Sequence, residues 1–156
     1  PEDAESLAVL HGDVARKLTV EFGRGHWSHM PSERGVLRDM KEATILVHRR
    51  AGEVIATLTL ATKKPWAIDA AYFHPSRKPL YLTNMAVAVR YQRKGVGREC
   101  LEAAAVIARA WPADAIRLDA YDAAAGAGGF YARCGYTEVG RVAYRGTPLI
   151  YYELLL

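Results

Sequence analysis

The sequence predicts a mixed α/β fold with helices on both faces of a central sheet, and three observations carry that prediction. Apolar residues recur at helical spacing in some segments and run as β-prone stretches in others. The segments follow in the order helix, helix, hairpin, strand, helix, strand, helix, hairpin, which supplies too few crossovers for a doubly wound parallel sheet. The 156 residues are 51% hydrophobic and 24% charged, a balance that builds a core without disulfide or metal staples and suits a single domain over 1–156.

Each element has its own signal. Leu7, Leu10, Val14, Leu18 and Phe22 lay an apolar stripe along a first helix, which Gly23 stops. The stretch 23–31 mixes glycines, Trp27, His26 and His29 and reads as a loop furnished to touch ligand; Ser32 then caps a short helix through Met40. Residues 44–48 and 54–61 are β-prone and joined through 49–53, which predicts an antiparallel hairpin with Gly52 in its turn. Pro65, Pro75 and Pro79 mark 63–79 as a long excursion that Trp66, Tyr72 and Phe73 would pack down.

A strand over 80–89, an alanine-rich helix over 97–111 stopped by Pro112, and a strand over 115–120 make a β-α-β unit. A short helix over 126–133 ends at Gly135, and strands over 137–144 and 149–154 flank a turn at 145–148. The apolar tail either buries as a last strand or meets a second subunit, so the oligomeric state is open and a homodimer is one of the two arrangements.

Composition excludes several functions. The longest apolar run free of charge, 103–108, is far short of the roughly 20 residues that cross a bilayer. Pro1-Glu2-Asp3-Ala4-Glu5 lacks the basic-then-apolar layout of a secretion signal, which makes the cytoplasm the default expectation. Cys100 and Cys134 make no metal-binding pattern, so no metal is expected and buried free thiols are. Lys and Arg total 21 against 17 Asp and Glu, a net charge of +4. That excess suits an anionic ligand, but without a basic stripe or reader motif it does not point to nucleic acid.

Chemistry concentrates after the strand over 80–89, in Gln92-Arg93-Lys94-Gly95-Val96-Gly97-Arg98. Glycines there let backbone approach a ligand, and a helix starting at the turn aims free N–H groups and the positive end of its dipole at it. With Arg93, Lys94 and Arg98 beside it, a diphosphate is the natural occupant. A Walker loop would need a Gly-Lys-Ser/Thr ending, and a dinucleotide fingerprint a third glycine where this chain has Cys100.

The run Met85-Ala86-Val87-Ala88-Val89-Arg90-Tyr91-Gln92-Arg93-Lys94-Gly95-Val96-Gly97 resembles the acetyl-CoA signature of the GNAT acyltransferase superfamily, Q/R-x-x-G-x-G/A after a hydrophobic strand. Phe130-Tyr131-Ala132-Arg133-Cys134-Gly135-Tyr136 is similar to the family's F-Y-x-x-x-G-F element, in the right order and context. The likeness is strongest over about residues 80–153 and rests on element order before that. It implies a mostly antiparallel mixed sheet of about six or seven strands with about four helices, and a pair of strands that splay apart at the cofactor site.

By the same resemblance, backbone at Met85, Ala86 and Val87 binds the pantetheine amides like an added strand. Backbone N–H groups from Arg93, Lys94, Gly95, Val96, Gly97 and Arg98 hold the pyrophosphate. The Val87 N–H faces the thioester oxygen, Tyr131 matches the tyrosine that protonates the departing sulfur, and Asp119 lies where some members place a catalytic carboxylate. Asp119 also reads as a structural or substrate-binding carboxylate, and Tyr131 as a packed aromatic. His26 and His29 read as bases or as plain loop histidines. Many relatives carry an Asn about seven positions before the tyrosine, where this chain has Ala124 in the small, glycine-rich stretch 123–129. The implied activity is that of a cytoplasmic acyltransferase that moves an acetyl group from acetyl-CoA to a primary amine of a small molecule or peptide, by direct attack. The alternative is a CoA-binding sensor or partner-binding module that has lost catalysis. The carboxylates Glu33 and Asp69 are candidates for attracting a cationic acceptor.

Overall fold

The computed structural model describes residues 1–156 and contains four α-helices and six strands. In chain order these are α1 (Ala4–Phe22), α2 (Glu33–Glu42), β1 (Thr44–Arg50), β2 (Glu53–Ala61), β3 (Pro79–Val87), α3 (Val96–Ala110), β4 (Ala115–Tyr121), α4 (Gly128–Arg133), β5 (Thr137–Tyr144) and β6 (Thr147–Leu155). The strands form one six-stranded sheet in the order β1-β2-β3-β4-β6-β5, with a single parallel pair, β3 and β4, as the sequence-derived fold class anticipates. No helix is long and apolar enough to cross a membrane.

Backbone packing divides the chain into two units, Pro1–Leu60 with Asn84–Cys100 and Ala61–Thr83 with Leu101–Leu156. In the first, the predicted stripe of α1 buries Leu7 and Leu10, and α1 ends at Gly23, which takes φ +81° and returns its N–H to the Thr19 carbonyl. Ser32 caps α2 as expected, its hydroxyl accepting the Gly35 N–H at 3.1 Å. Ala4, Leu7 and Val36 form the buried centre against which Leu37, Met40, Ile45, Val47 and Val54 pack.

The β1–β2 hairpin is tighter than the expected connection over 49–53. Ala51 and Gly52 alone make the turn, at φ +49° and +80°, so both central residues are left-handed as a primed two-residue turn requires. β3 also ends earlier than expected, at Val87 rather than residue 89. The Ala88 N–H donates to the Ile55 carbonyl at 2.7 Å, and the chain then folds into a single 3₁₀ turn, Val89–Tyr91. Within β3, Asn84 takes φ +51°, a left-handed residue that kinks the strand and one that asparagine tolerates better than most.

In the second unit, β3 pairs with β4 only at Pro79, Leu80 and Tyr81 against Ala115, Ile116 and Arg117, although both strands continue. β4 pairs antiparallel with β6 along its full length, and β6 with β5. The apolar tail is therefore a strand with neighbours on both sides, in which Tyr151, Tyr152 and Glu153 are buried. The closing turn is again two residues, Arg145 at φ +49° and Gly146 at φ +81°, shorter than the expected turn over 145–148. α3 starts one residue before the predicted 97, and α4 two after 126.

The excursion before β3 is held down by Ile68 and Phe73, buried in a cluster with Tyr81 and Tyr151, and by polar side chains. Trp66, expected to pack, is 86% exposed, while Phe73 is buried and Tyr72 sets its ring edge-on to Tyr151 at 5.4 Å. The Tyr151 hydroxyl donates to the Ala67 carbonyl and accepts the Asp69 N–H at 3.1 Å. Arg117, 4% exposed, donates to the His74 carbonyl at 2.7 Å and the Tyr81 hydroxyl at 3.2 Å, with its guanidinium over the Phe73 ring. Glu153, its cross-strand partner and 2% exposed, accepts the His74 backbone N–H at 3.3 Å and pairs with the His74 ring. Burial of these two side chains is offset by polar partners on each, although the Arg117 Nε–H has none.

Candidate active site

The predicted site residues fall into two groups, each assembled inside one unit. The first group lies at the end of β3 and in the turn after it. Ala86 is buried, while Met85 and Val87 are half-buried. The Val87 carbonyl accepts from the side-chain amide of Gln92, Nε2, at 3.0 Å, so the turn folds back on the strand end.

Beyond Gln92, Arg93 takes φ +60° and Gly95 φ +84°, and α3 begins at Val96, whose side chain is buried as an anchor. The two glycines thus have different uses. Gly95 supplies a left-handed turn that a side chain would strain, whereas Gly97 already lies in the helix. The first turn of α3 has N–H groups with no intrahelical acceptor, at the positive end of a helix of 15 residues. Arg93, Lys94 and Arg98 are exposed around it. The Tyr91 ring has the Arg50 and Arg90 guanidinium groups 5.3 and 5.2 Å from its centre and the Lys94 ammonium at 6.0 Å, so cations gather on this side of the turn. Arg90 also pairs with Glu53, which leaves Arg93 and Lys94 as the better sources of positive charge. A turn of this kind is suited to binding a diphosphate.

The second group lies on β4 and α4. Alternation along β4 puts Arg117, Asp119 and Tyr121 on one face, and Asp119 is half-buried opposite Tyr151. Burial raises the Asp119 carboxyl above its ordinary value. Tyr131 is 7% exposed, packed with its ring centre 5.9 Å from both Tyr136 and Tyr152. Burial first and the Asp119 charge second hold its phenol well above the ordinary value, so it stays protonated at neutral pH. Tyr121 is raised by the same two causes in the same order. Asp119 and Tyr131 therefore share one electrostatic neighbourhood: an acid with a bound proton and a carboxyl with enhanced proton affinity.

The glycine-rich stretch before α4 has a steric explanation. A Cβ on Gly126 would come within 1.9 Å of the Tyr121 carbonyl oxygen, and one on Gly128 within 2.8 Å of the Tyr152 hydroxyl, so glycine lets this segment lie against β4 and β6. Ala124, where the resemblance leads one to expect an Asn, is exposed. Of the other candidates, Asp69 donates its backbone N–H to the hydroxyl of Tyr151, the cross-strand partner of Asp119. His26, His29 and Glu33 are exposed, and the Asp69 carboxylate accepts the Ala71 N–H at 3.0 Å in a local turn. The role of Gln92 was not readable from the motif. A side chain with both donor and acceptor, five residues after the end of a strand, was the available signal.

Comparison with known proteins gives a consistent picture. The sequence model of the Acetyltransferase (GNAT) family matches residues 13–136. An acetyltransferase of the GNAT family from Listeria monocytogenes 4b F2365 superposes with a TM-score of 0.75 at 19% identity, over 100% of this chain and 91% of that one. A ribosomal-protein-alanine N-acetyltransferase from Brucella melitensis gives 0.72 at 18% identity, over 99% and 95%. A GNAT family acetyltransferase from Elizabethkingia anophelis, with acetyl-CoA bound, gives 0.59 at 16% identity, over 81% and 84%. A comparison with curated proteins gave no significant match. At these identities the superpositions show the fold, and the family rests on the matched sequence model.

Proposed function

The chain belongs to the acetyltransferase (GNAT) family, and from that premise we propose that it is a single-domain, acetyl-CoA-dependent N-acetyltransferase acting on a primary amine by direct attack. The observation that carries the reading is the turn from Arg93 into α3, where a left-handed Gly95, a helix N-terminus and exposed cations come together within six residues. When bound, acetyl-CoA supplies the thioester that an amine attacks.

Each residue then has a task. N–H groups from Arg93 to Arg98 hold the diphosphate, and Arg93, Lys94 and Arg98 add charge. Backbone at Met85, Ala86 and Val87 aligns the pantetheine as an added strand. The Val87 N–H donates to the thioester oxygen as negative charge develops there. Asp119 accepts a proton from the incoming ammonium, directly or through water, and its raised proton affinity brings it closer to the amine it must deprotonate. Tyr131 gives its proton to the departing thiolate, and a phenol held protonated is suited to that step. The acceptor is a small-molecule or peptide amine.

Calorimetric titration with acetyl-CoA tests the reading, beside a Gly95→Asp/Gly97→Asp variant shown by circular dichroism to be folded. The expected result is binding by the parent, loss of at least about tenfold in the variant, and thiol release when a panel of small amines and peptides is added. No binding by the folded parent overturns the reading. Binding without thiol release from any amine favours the CoA-binding module that has lost catalysis.

A further inference from the structure

We infer that Lys17 and Gln92 form a strut that sets the orientation of the peptide following Val87, which makes both of them positioning residues for acyl transfer. The inference rests on the reading above, in which the Val87 N–H meets the thioester oxygen. The end of β3 is a weak place to put an oxyanion donor. The strand stops there, the chain turns away within one residue, and strand ends without further ties fray.

Here the Val87–Ala88 peptide is tied on both sides. Its N–H donates to the Ile55 carbonyl at 2.7 Å, and its carbonyl accepts Gln92 Nε2 at 3.0 Å. The second tie depends on which way the Gln92 amide faces. A backbone carbonyl only accepts, so the NH₂ end must point at Val87. The opposite end, Oε1, accepts the Lys17 ammonium at 2.7 Å. An ammonium only donates, so it meets the oxygen and rejects the NH₂. Lys17 thereby selects the amide orientation that Val87 needs, and the selection follows from donor and acceptor chemistry.

The strut links α1 to the strand end across 75 positions of sequence, with both side chains half-buried. With the peptide after Val87 fixed, the ψ angle of Val87 is fixed too, and with it the strand end that carries the Val87 N–H. Neither Lys17 nor Gln92 touches the reacting atoms. Their effect belongs in the rate of the step that builds charge on the thioester oxygen, because a small misplacement of a donor costs rate more than affinity.

Three variants test this: Gln92→Glu, Lys17→Met and Lys17→Arg. Glutamate cannot donate to the Val87 carbonyl when ionised, methionine removes the orienting ammonium, and arginine keeps a donor-only cation. The expected result is a kcat lower by about tenfold or more for Gln92→Glu and about three- to tenfold for Lys17→Met, with the KM for acetyl-CoA and the calorimetric Kd for free CoA within about twofold of the parent. Lys17→Arg should return kcat to within about twofold of the parent. Hydrogen exchange at the Ala88 amide gives a readout independent of turnover: it should quicken in Gln92→Glu and Lys17→Met and not in Lys17→Arg, with melting temperatures unchanged.

Parent-like kcat and Ala88 exchange in Gln92→Glu would overturn the strut. So would a loss of CoA affinity as large as the loss of kcat, since that marks a binding role. A folded parent that binds no CoA sinks the acetyltransferase reading instead, and the exchange measurement still decides whether the strut exists.

Discussion

The turn after β3 and the pair Asp119 and Tyr131 would serve one reaction through different parts of the polypeptide. At the turn, the working groups would be backbone N–H groups and exposed cations, placed by Gly95 at φ +84° and by the start of α3. On β4 and α4 they are side chains removed from water, and burial is the first cause of the raised proton affinity of both. The first arrangement should respond to salt and to any side chain that fills the turn, and the second to pH and to loss of a single hydroxyl or carboxyl. Anchoring by backbone tolerates sequence change at most positions, whereas proton transfer does not.

The largest effect expected is that of Tyr131→Phe. Removing the proton donor should lower kcat by about 10²- to 10⁴-fold, while calorimetry gives the parent affinity for acetyl-CoA. An equal loss of affinity would instead mark Tyr131 as part of the binding surface.

Asp119→Asn should cost about 10²-fold in kcat/KM and flatten the acidic limb of the pH profile. If Asp119 is the base, parent activity should rise with pH as it ionises, on a limb that burial shifts upward from the ordinary carboxylate range. The sign for stability is opposite. A folded-state pKa above the unfolded one means that the stabilisation from this group is complete below the unfolded pKa and lost as pH rises through the folded one. Asp119→Asn should therefore melt higher than the parent at neutral pH, and thermal scans at acid and neutral pH check it.

Salt should separate the two regions more gently. Raising NaCl from about 0.05 to about 0.5 M should weaken acetyl-CoA binding by about three- to tenfold, as exposed charges at Arg93, Lys94 and Arg98 are screened. Under saturating cosubstrate kcat should stay the same.

The smallest effect concerns the two hairpins, one in each unit, where Ala51 and Arg145 both sit at φ +49° before a glycine. Asparagine tolerates that conformation better, so Ala51→Asn should gain about 0.5 kcal/mol and leave kinetics unchanged. Arg145→Asn should gain less, because the guanidinium stacked 5.3 Å over the Tyr144 ring is lost with it. Paired thermal melts measure the difference.

Much of the fold was readable from residue type and spacing. Leu7 and Leu10, Ser32, Gly52 and Gly135 each act through local rules, and the structure uses them where the sequence places them. The turn at Gly95 was readable for the same reason, since few residues accept its backbone. Proton affinity was not readable. Nothing in the letters around Asp119 states how much water reaches it; that depends on β6 lying alongside β4 and on packing by residues far away in sequence. Gln92 was visible as a motif letter, but its bond to Val87 depends on how the chain doubles back after β3. Trp66 misled because an aromatic in a proline-rich stretch suggests packing, and here the anchoring falls to Ile68 and Phe73 against Tyr151, and to Arg117 and Glu153. Two charged residues inside β-prone runs were the overlooked sign.

Tyr151, Arg117 and Glu153 bear on how this scaffold can be altered. Residues 67–74 give hydrogen-bond partners to a buried arginine on β4 and to a buried hydroxyl and carboxyl on β6, so deleting or replacing that segment alone would take a partner from all three where no solvent can compensate. Segment and strands form one exchangeable cassette. A chimera that grafts a relative's loop here would need positions 117, 151 and 153 from the same donor, and natural variation in this loop should come with matching changes at those positions.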